Sequence, residues 1–213
     1  MGIVNTEIKQ KTIKKAVSLV GVGLHTGKNV TLTFKPALAN TGLAFKRVDL
    51  EGMPVIEADA SYVTNTQRGT CLEKNGVTIQ TSEHVLAALV GMDVDNVILE
   101  LNASEPPIMD GSSKFFVKAI EDAGIVELDA FREEYIVTDV ISYTDEESGS
   151  EILVMPCKEY QITAMVDFGT KVLGTQNATL NKISDFKKDI SNARTFSFLH
   201  EIEMLLEHGL IKG

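Results

Sequence analysis

Cysteine is scarce in this sequence, with only Cys71 and Cys157 among its 213 residues. The two lie far apart and no Cys-x-x-Cys pair occurs, which excludes a disulfide framework and a thiolate zinc cage. We therefore expect each cysteine to be a small buried residue.

Long apolar runs are also missing. No stretch approaches the roughly 18 apolar residues that a membrane-spanning helix needs. The N-terminus leads into a lysine-rich, strand-like segment that lacks the apolar region and small-residue cleavage site of a secretory signal. We therefore predict a cytoplasmic protein with no membrane span.

Positive charge is in short supply as well. Twenty Lys and Arg residues stand against thirty Asp and Glu residues, so the formal net charge is −10. Such a surface repels a phosphate backbone unless its basic residues cluster on one face, and the lysines near the N-terminus cluster only weakly. Nucleic acid is therefore not an expected partner. The apolar fraction of 44% is that of an ordinary globular protein.

The first half of the chain is predicted to hold strands followed by two helices. Alternating, β-branched segments indicate strands at 13–20, 29–34, 43–48 and 94–101. Asn75-Gly76 between two apolar runs indicates a tight hairpin, because both residues tolerate positive φ. A hydroxyl residue can cap a helix over 81–91, and the segment 110–113 can cap a second helix that Gly124 ends.

The second half repeats this order less clearly. Strands are predicted at 135–142, 151–155 and 160–166, an acidic turn at 144–150, and helices at 184–190 and 199–208. Strands followed by helices in both halves predict an α+β fold rather than alternating βαβ units. We predict two similar small domains, 1–128 and 129–213, each a mostly antiparallel sheet packed against two helices, with the second domain incomplete.

Glu83-His84 in the first turn of a predicted helix is the sharpest chemical feature. A His can bind a metal through one ring nitrogen while an adjacent carboxylate reaches the metal-bound water. The alternative is structural: Glu83 would favour the positive end of the helix dipole and His84 would pack at the helix edge. The dipeptide alone leaves both interpretations open.

Two further segments could contribute to a site. His25 lies in a glycine-bounded loop, where the backbone can approach a ligand closely, although such a loop can equally be a tight connection. Thr195 stands between Arg194 and Phe196, and Phe198 follows. This mixture suits an oxyanion and an apolar ligand wall, and the alternative is a strand with one buried face.

Four motifs taken together resemble the UDP-3-O-acyl-N-acetylglucosamine deacetylase family. They are the segments at 21–27, 81–89, 107–112 and 193–198, which occur in the order that the family has them. The resemblance implies two domains, each a small sheet packed against two helices, with the active site between the helical layers. It also implies a UDP-linked acylated glucosamine as substrate, Zn²⁺ as cofactor and a role in lipid A biosynthesis.

The resemblance also assigns roles to particular residues. Glu83 corresponds to the family's general base, His84 to a zinc ligand and Thr195 to the residue that stabilises the oxyanion. His25, Phe196 and Phe198 are expected to contact the substrate. Zinc lowers the pKa of its bound water to around 7, so that Glu83 can take the proton as hydroxide attacks the acetamide carbonyl.

Some parts of the family pattern do not occur in this sequence. The family's second zinc-ligand helix carries His-Lys-x-x-Asp, and a later His protonates the leaving amine; the sequence has neither. We therefore expect a chain truncated at its C-terminus that binds zinc poorly and turns over little. Two alternatives remain: a non-catalytic module that binds an acyl chain or acylated sugar nucleotide near Phe196 and Phe198, and a different metal hydrolase completed by His200 and Glu203.

Overall fold

A computed structural model describes residues 2–207 and 211–212, the side chain of His200 excepted. The strands are β1 (Gly2–Ile13), β2 (Val17–Val22), β3 (Asn29–Pro36), β4 (Leu43–Arg47), β5 (Val55–Glu57), β6 (Val63–Asn65), β7 (Cys71–Lys74), β8 (Val77–Ile79), β9 (Val97–Leu101), β10 (Ile125–Ile136), β11 (Ile141–Thr144), β12 (Glu151–Val154), β13 (Ile162–Asp167) and β14 (Thr175–Leu180). The helices are α1 (Glu83–Gly91), α2 (Lys114–Ala123), α3 (Phe186–Asp189) and α4 (Leu199–Glu207).

A five-stranded sheet with the order β2-β3-β9-β4-β5 carries the core of the first half. Its strands pair antiparallel except β4 and β9, which run parallel. Alternate residues of β3, namely Val30, Leu32 and Phe34, are buried, as expected for a strand with one face on a core. The α1 and α2 helices pack against this core through Leu89 and Ile120. The predicted α+β class with mainly antiparallel sheets is confirmed.

The single strand predicted at 13–20 is wrong. The structure ends β1 at Ile13 and begins β2 at Val17, and Lys14 N donates a hydrogen bond to Gly124 O at 2.7 Å. The chain bends here because the two strands belong to different sheets: β1 pairs antiparallel with β10, whereas β2 pairs with β3. Lys14 and Lys15 interrupt the apolar alternation at this bend, and the prediction of one continuous strand ignored that interruption.

The hairpin predicted at Asn75-Gly76 is confirmed. It joins β7 to β8, and the two turn residues have φ values of 53° and 76°. Both values lie in the left-handed region that a type I′ turn requires. The small sheet β6-β7-β8 delivers the chain directly to α1.

The two helix starts differ from the predicted caps. Ser82 occupies the N-cap position of α1 but makes no capping hydrogen bond; its Oγ donates instead to Thr70 O at 3.0 Å. Ser113 likewise precedes α2 without capping it and donates to His84 O at 3.0 Å. The Ser82 hydroxyl therefore ties the start of α1 to the loop at Thr70, and the Ser113 hydroxyl ties the start of α2 to the first turn of α1. Gly124 ends α2 with φ of 72°, as predicted.

The β10 strand runs through residue 128, where the domain division was predicted. Its pairing with β1 extends from Ile125 opposite Ile13 to Ile136 opposite Gly2, with irregularities near Lys9. Later residues also enter the first core: Leu180 and Phe186 are each 6% exposed and belong to the same buried cluster as α1. The division at 128/129 stays a prediction.

In the second half, two antiparallel hairpins form from β11 with β12 and from β13 with β14. The strand predicted at 135–142 is wrong, because β10 ends at Ile136 and β11 begins only at Ile141. The β14 strand was not predicted, since its sequence Thr-Gln-Asn-Ala-Thr-Leu is mostly polar. The turn predicted at 144–150 and the helix α4 are confirmed, although the predicted end of α4 at residue 208 lies outside the described residues.

Two smaller expectations have clear outcomes. Cys157 is exposed and Cys71 only partly buried, so the expectation of two buried thiols is wrong. Cys157 follows β12, a strand whose residues are all exposed. No helix within residues 2–207 and 211–212 is long and apolar enough to cross a membrane.

Candidate active site

Glu83 and His84 lie at the start of α1, as predicted. The backbone N–H of Thr70 donates to Glu83 Oε2 at 2.8 Å, which leaves Oε1 as the oxygen nearer the imidazole. Glu83 Oε1 is 3.8 Å from His84 Nε2. The Glu83 side chain is 38% exposed and the His84 side chain 19% exposed. The pair is therefore accessible to a small ligand while the carboxylate is held in one orientation.

The loop at 68–70 fixes the start of α1. Ser82 N and Ser82 Oγ both donate to Thr70 O, at 3.2 Å and 3.0 Å. Gly69 packs closely on the helix start: a Cβ added there would lie 3.4 Å from Thr81 Cα and 3.5 Å from Glu83 Oε1. A side chain at position 69 would therefore occupy the space beside the Glu83 carboxylate.

The glycine-bounded loop that contains His25 reaches the same region. His25 Nε2 lies 3.4 Å from Arg68 O, one residue before Gly69. The loop also contacts the far end of the chain, where Lys212 N donates to Leu24 O at 3.0 Å. The structure thus places His25 beside the loop that binds Glu83.

Thr195 lies against the loop that leads into α2. Its backbone N–H donates to Gly111 O at 2.9 Å, and its Cγ2 would be 3.3 Å from a Cβ added to Gly111. Two residues further on, Ser113 Oγ donates to His84 O at 3.0 Å. Thr195 is exposed and is connected through this short stretch to the carbonyl of His84.

Asp110 in this loop has a local structural role. Burial raises its pKa, but hydrogen bonds from Lys114 and Ser112 outweigh that effect, so that the pKa of the Asp110 carboxyl lies below its usual value. Asp110 Oδ1 accepts from Ser112 Oγ at 2.7 Å, and Lys114 forms an ion pair with Oδ2. These contacts hold the turn against which Thr195 packs.

Three phenylalanines form an open aromatic cluster. The ring centroids of Phe196 lie 5.3 Å from Phe168 and 5.7 Å from Phe198, and Phe168 and Phe198 are 6.4 Å apart. Residues 193–198 form no strand, so the alternative of a half-buried strand is wrong. Phe168, Leu173, Gln176 and Phe196 line a cavity of about 250 Å³. Sequence reasoning missed Phe168, which lies between the end of β13 and the bend at Gly169.

The start of α4 is tied to the same loop at 68–70. Glu201 Oε2 accepts from Phe198 N at 2.9 Å and from Ser197 Oγ at 3.0 Å, as a third helical residue does in a capping box. Glu201 Oε1 also forms an ion pair of 3.4 Å with Arg68 Nη1. The segment that carries Phe196 and Phe198 is therefore anchored to the loop beside Glu83.

The alternative metal site of His200 and Glu203 falls partly outside the described residues, because the side chain of His200 is not described. Glu203 is exposed on α4. Among residues 2–207 and 211–212, no group of three or more His, Cys, Asp or Glu side chains could hold a metal ion. Within that part of the chain, His84 is thus a single candidate ligand rather than part of a complete set.

Glu105 is a site residue that sequence reasoning missed. It is fully buried, and its carboxylate accepts hydrogen bonds from the backbone of His25 and Thr26 and from the hydroxyl of Thr81. In the sequence it precedes Pro106-Pro107 and resembles an exposed loop residue. Its location before the rigid Pro106-Pro107 pair is a weak signal of a fixed backbone, and nothing in the sequence pattern indicates that Glu105 is buried.

The fold and these residues define an α+β protein in which a Glu-His pair begins one helix and the segment that carries Thr195, Phe196 and Phe198 is tied to neighbouring loops. The chain belongs to the UDP-3-O-acyl N-acetylglycosamine deacetylase (LpxC) family, whose family model matches residues 10–213.

Curated relatives agree with this membership. The chain is 45% identical over 206 residues to the bifunctional enzyme LpxC/FabZ of Bacteroides thetaiotaomicron, covering 97% of this chain and 45% of that protein. It is 41% identical over 209 residues to the UDP-3-O-acyl-N-acetylglucosamine deacetylase of Saccharophagus degradans, covering 97% of this chain and 68% of that protein. The chain therefore spans less than half of the bifunctional relative and about two thirds of the deacetylase.

Proposed function

We propose that this chain carries the Glu-His part of a zinc-dependent site that hydrolyses the N-acetyl amide of a UDP-linked, 3-O-acylated N-acetylglucosamine. The observation that carries the proposal is the distance of 3.8 Å between Glu83 Oε1 and His84 Nε2 at the start of α1. Membership of the deacetylase family supports the substrate class, and with it a role in lipid A biosynthesis in the cytoplasm.

The donor chemistry of the pair fits zinc. An imidazole nitrogen is among the ligands that Zn²⁺ prefers, and catalytic zinc sites commonly use three protein ligands. His84 would supply one of them; the others would come from groups outside the described residues. When bound, zinc supplies Lewis-acid polarisation of a carbonyl oxygen and activation of water. With one candidate ligand described, we expect this chain alone to bind zinc weakly.

Glu83 is the general base of the proposed reaction. Its carboxylate is oriented by the hydrogen bond from Thr70 N, so that Oε1 is free to accept a proton from the attacking water. Thr195 is the residue whose hydroxyl would donate to the oxyanion of the tetrahedral intermediate. His25, Phe196 and Phe198 would contact the substrate, with the aromatic cluster as the apolar wall for its acyl chain.

A second candidate function is a module that binds an acyl chain or an acylated sugar nucleotide without catalysis. The cavity of about 250 Å³ lined by Phe168 and Phe196 favours it, because this apolar wall needs no metal to bind a ligand. The two functions differ in their dependence on Glu83, which lies outside that cavity.

The test uses a fusion polypeptide in which this chain replaces the region of the Saccharophagus degradans deacetylase that it aligns with. Deacetylation of the UDP-linked substrate is measured with added Zn²⁺ for the parent, Glu83→Gln and the control Glu73→Gln, an exposed carboxylate on β7. We expect Glu83→Gln to lower kcat by about 10²–10⁴-fold, the usual contribution of a general base, and Glu73→Gln to leave it unchanged. Equal kcat values for all three would refute the assignment of Glu83.

A further inference from the structure

The carboxylate of Glu105 joins two loops that are far apart in sequence. Its Oε1 accepts from Thr81 Oγ1 at 3.0 Å and from His25 N at 3.1 Å. Its Oε2 accepts from Thr26 N at 2.9 Å and from Thr26 Oγ1 at 2.8 Å. Glu105 itself is 0% exposed, so its carboxylate is satisfied by these four donors.

Thr81 has an unfavourable backbone conformation. Its φ is 50°, in the left-handed region that a β-branched residue rarely adopts, and it is buried. Such a conformation persists only where the surrounding contacts overdetermine it. Here the contacts are the hydrogen bond to Glu105 and the hydrogen bond from Gln80 N to Ser104 O at 2.8 Å.

Thr81 immediately precedes Ser82 and Glu83, which form hydrogen bonds with the loop at 68–70. Ser82 donates twice to Thr70 O, and Glu83 Oε2 accepts from Thr70 N. The direction in which the chain leaves Thr81 therefore decides where the Glu83 carboxylate lies. On the other side, the same Glu105 carboxylate fixes the backbone of His25, whose ring reaches Arg68 O.

We propose that Glu105 is a positioning residue: its buried carboxylate holds Thr81 in the left-handed conformation that orients Glu83, and fixes the His25 loop beside it. A catalytic effect of this arrangement rests on the proposed function, whereas the arrangement itself does not. Glutamine keeps one acceptor oxygen and can donate to the Thr hydroxyls, so it preserves most of the network. Alanine leaves buried donors without an acceptor.

Amide hydrogen exchange of this chain, without metal or substrate, tests the proposal. The Thr70 amide reports on Glu83, because its acceptor is the Glu83 carboxylate. We expect Glu105→Ala to accelerate exchange at His25, Thr26 and Thr70 by about tenfold or more, the loss that one buried hydrogen bond predicts. Glu105→Gln should restore slow exchange at Thr26 and Thr70. Unchanged exchange at Thr70 in folded Glu105→Ala would overturn the proposal.

Two further variants make the result specific. Glu100→Ala is the matched control, because Glu100 lies on β9 and pairs with Lys35 outside the network; it should leave Thr70 exchange unchanged. Thr81→Val removes the hydroxyl that donates to Glu105, and it provides the test if Glu105→Ala does not fold. It should accelerate exchange at Thr70 while Thr26, still bonded to Glu105, stays protected. Slow exchange at Thr70 in Thr81→Val would overturn the role of Thr81, whatever the outcome for Glu83 in catalysis.

Discussion

Gly91 and Phe186 form the contact through which α3 packs on α1. Gly91 is the last residue of α1 and is buried, and the Phe186 ring lies directly over it. A Cβ added to Gly91 would lie 2.1 Å from Phe186 Cδ1 and 2.3 Å from Cγ. Ordinary carbon contacts are about 3.5–4.0 Å, so the ring would have to move out by roughly 1.4 Å or more.

The structure sets the size and sign of the effect of Gly91→Ala. Displacing the ring forfeits most of its burial, and removing a buried Phe side chain costs about 3 kcal/mol at the low end of measured values. Alanine in a helix is more favourable than glycine by about 1 kcal/mol. We therefore expect Gly91→Ala to lower the free energy of unfolding by about 2 kcal/mol. In Phe186→Ala, the same substitution should raise it by about 1 kcal/mol.

Urea denaturation of the parent, the two single variants and the double variant measures this change of sign. The expected coupling between the two positions is about 3 kcal/mol, well above the error of such a cycle. Equal effects of Gly91→Ala in both backgrounds would refute the steric argument and leave the helix propensity of alanine as the larger effect.

Two other results are expected. Burial raises the pKa of Asp93, but hydrogen bonds from Lys11 and Arg132 outweigh it and the pKa is lowered. This carboxyl therefore stabilises the fold above its unfolded pKa of about 3.9, and the stabilisation is lost as the pH falls below that value. Arg132→Met should weaken the loss of unfolding free energy that the parent shows as the pH falls below that value. An unchanged pH dependence in Arg132→Met would contradict the ion pair between Arg132 and Asp93. In the fusion polypeptide, we expect Thr195→Val to lower kcat by about 10²–10³-fold and Thr195→Ser to keep most of the parent's kcat. A kcat for Thr195→Val equal to that of the parent would show that the Thr195 hydroxyl does not stabilise the oxyanion.

Local backbone chemistry made part of the fold predictable. Asn75-Gly76 specifies a turn with two positive φ values, and Gly124 ends α2 because a residue there has to adopt positive φ. Pairing between distant strands was not predictable in the same way. The β9 strand lies between β3 and β4, and β1 pairs with β10 more than a hundred residues later. Such pairings depend on the whole core, so the strand predicted at 13–20 ran across the bend after Ile13 although Lys14 and Lys15 interrupt the apolar pattern there.

The candidate site was also predictable only in part. Glu83-His84 and Thr195 were singled out because their side chains carry chemistry that can be recognised in a short segment. Glu105 has no such signature, since its importance lies in burial and in donors from positions 25, 26 and 81. A carboxylate before two prolines is usually solvated. Its role becomes visible only when the loops meet in three dimensions.

Glycines lie at two places where these loops meet. At Gly69 a side chain would come within 3.5 Å of the Glu83 carboxylate, and at Gly111 a side chain would come within 3.3 Å of Thr195 Cγ2. Each position lies where a second segment of the chain delivers one residue of the proposed site. A side chain at Gly69 would make ordinary van der Waals contacts, whereas the φ of 81° at Gly111 favours glycine whatever the space. The backbone beside Thr195 therefore depends on glycine, while the backbone beside Glu83 depends on hydrogen bonds, among them those to the Glu105 carboxylate that we propose as its positioning group.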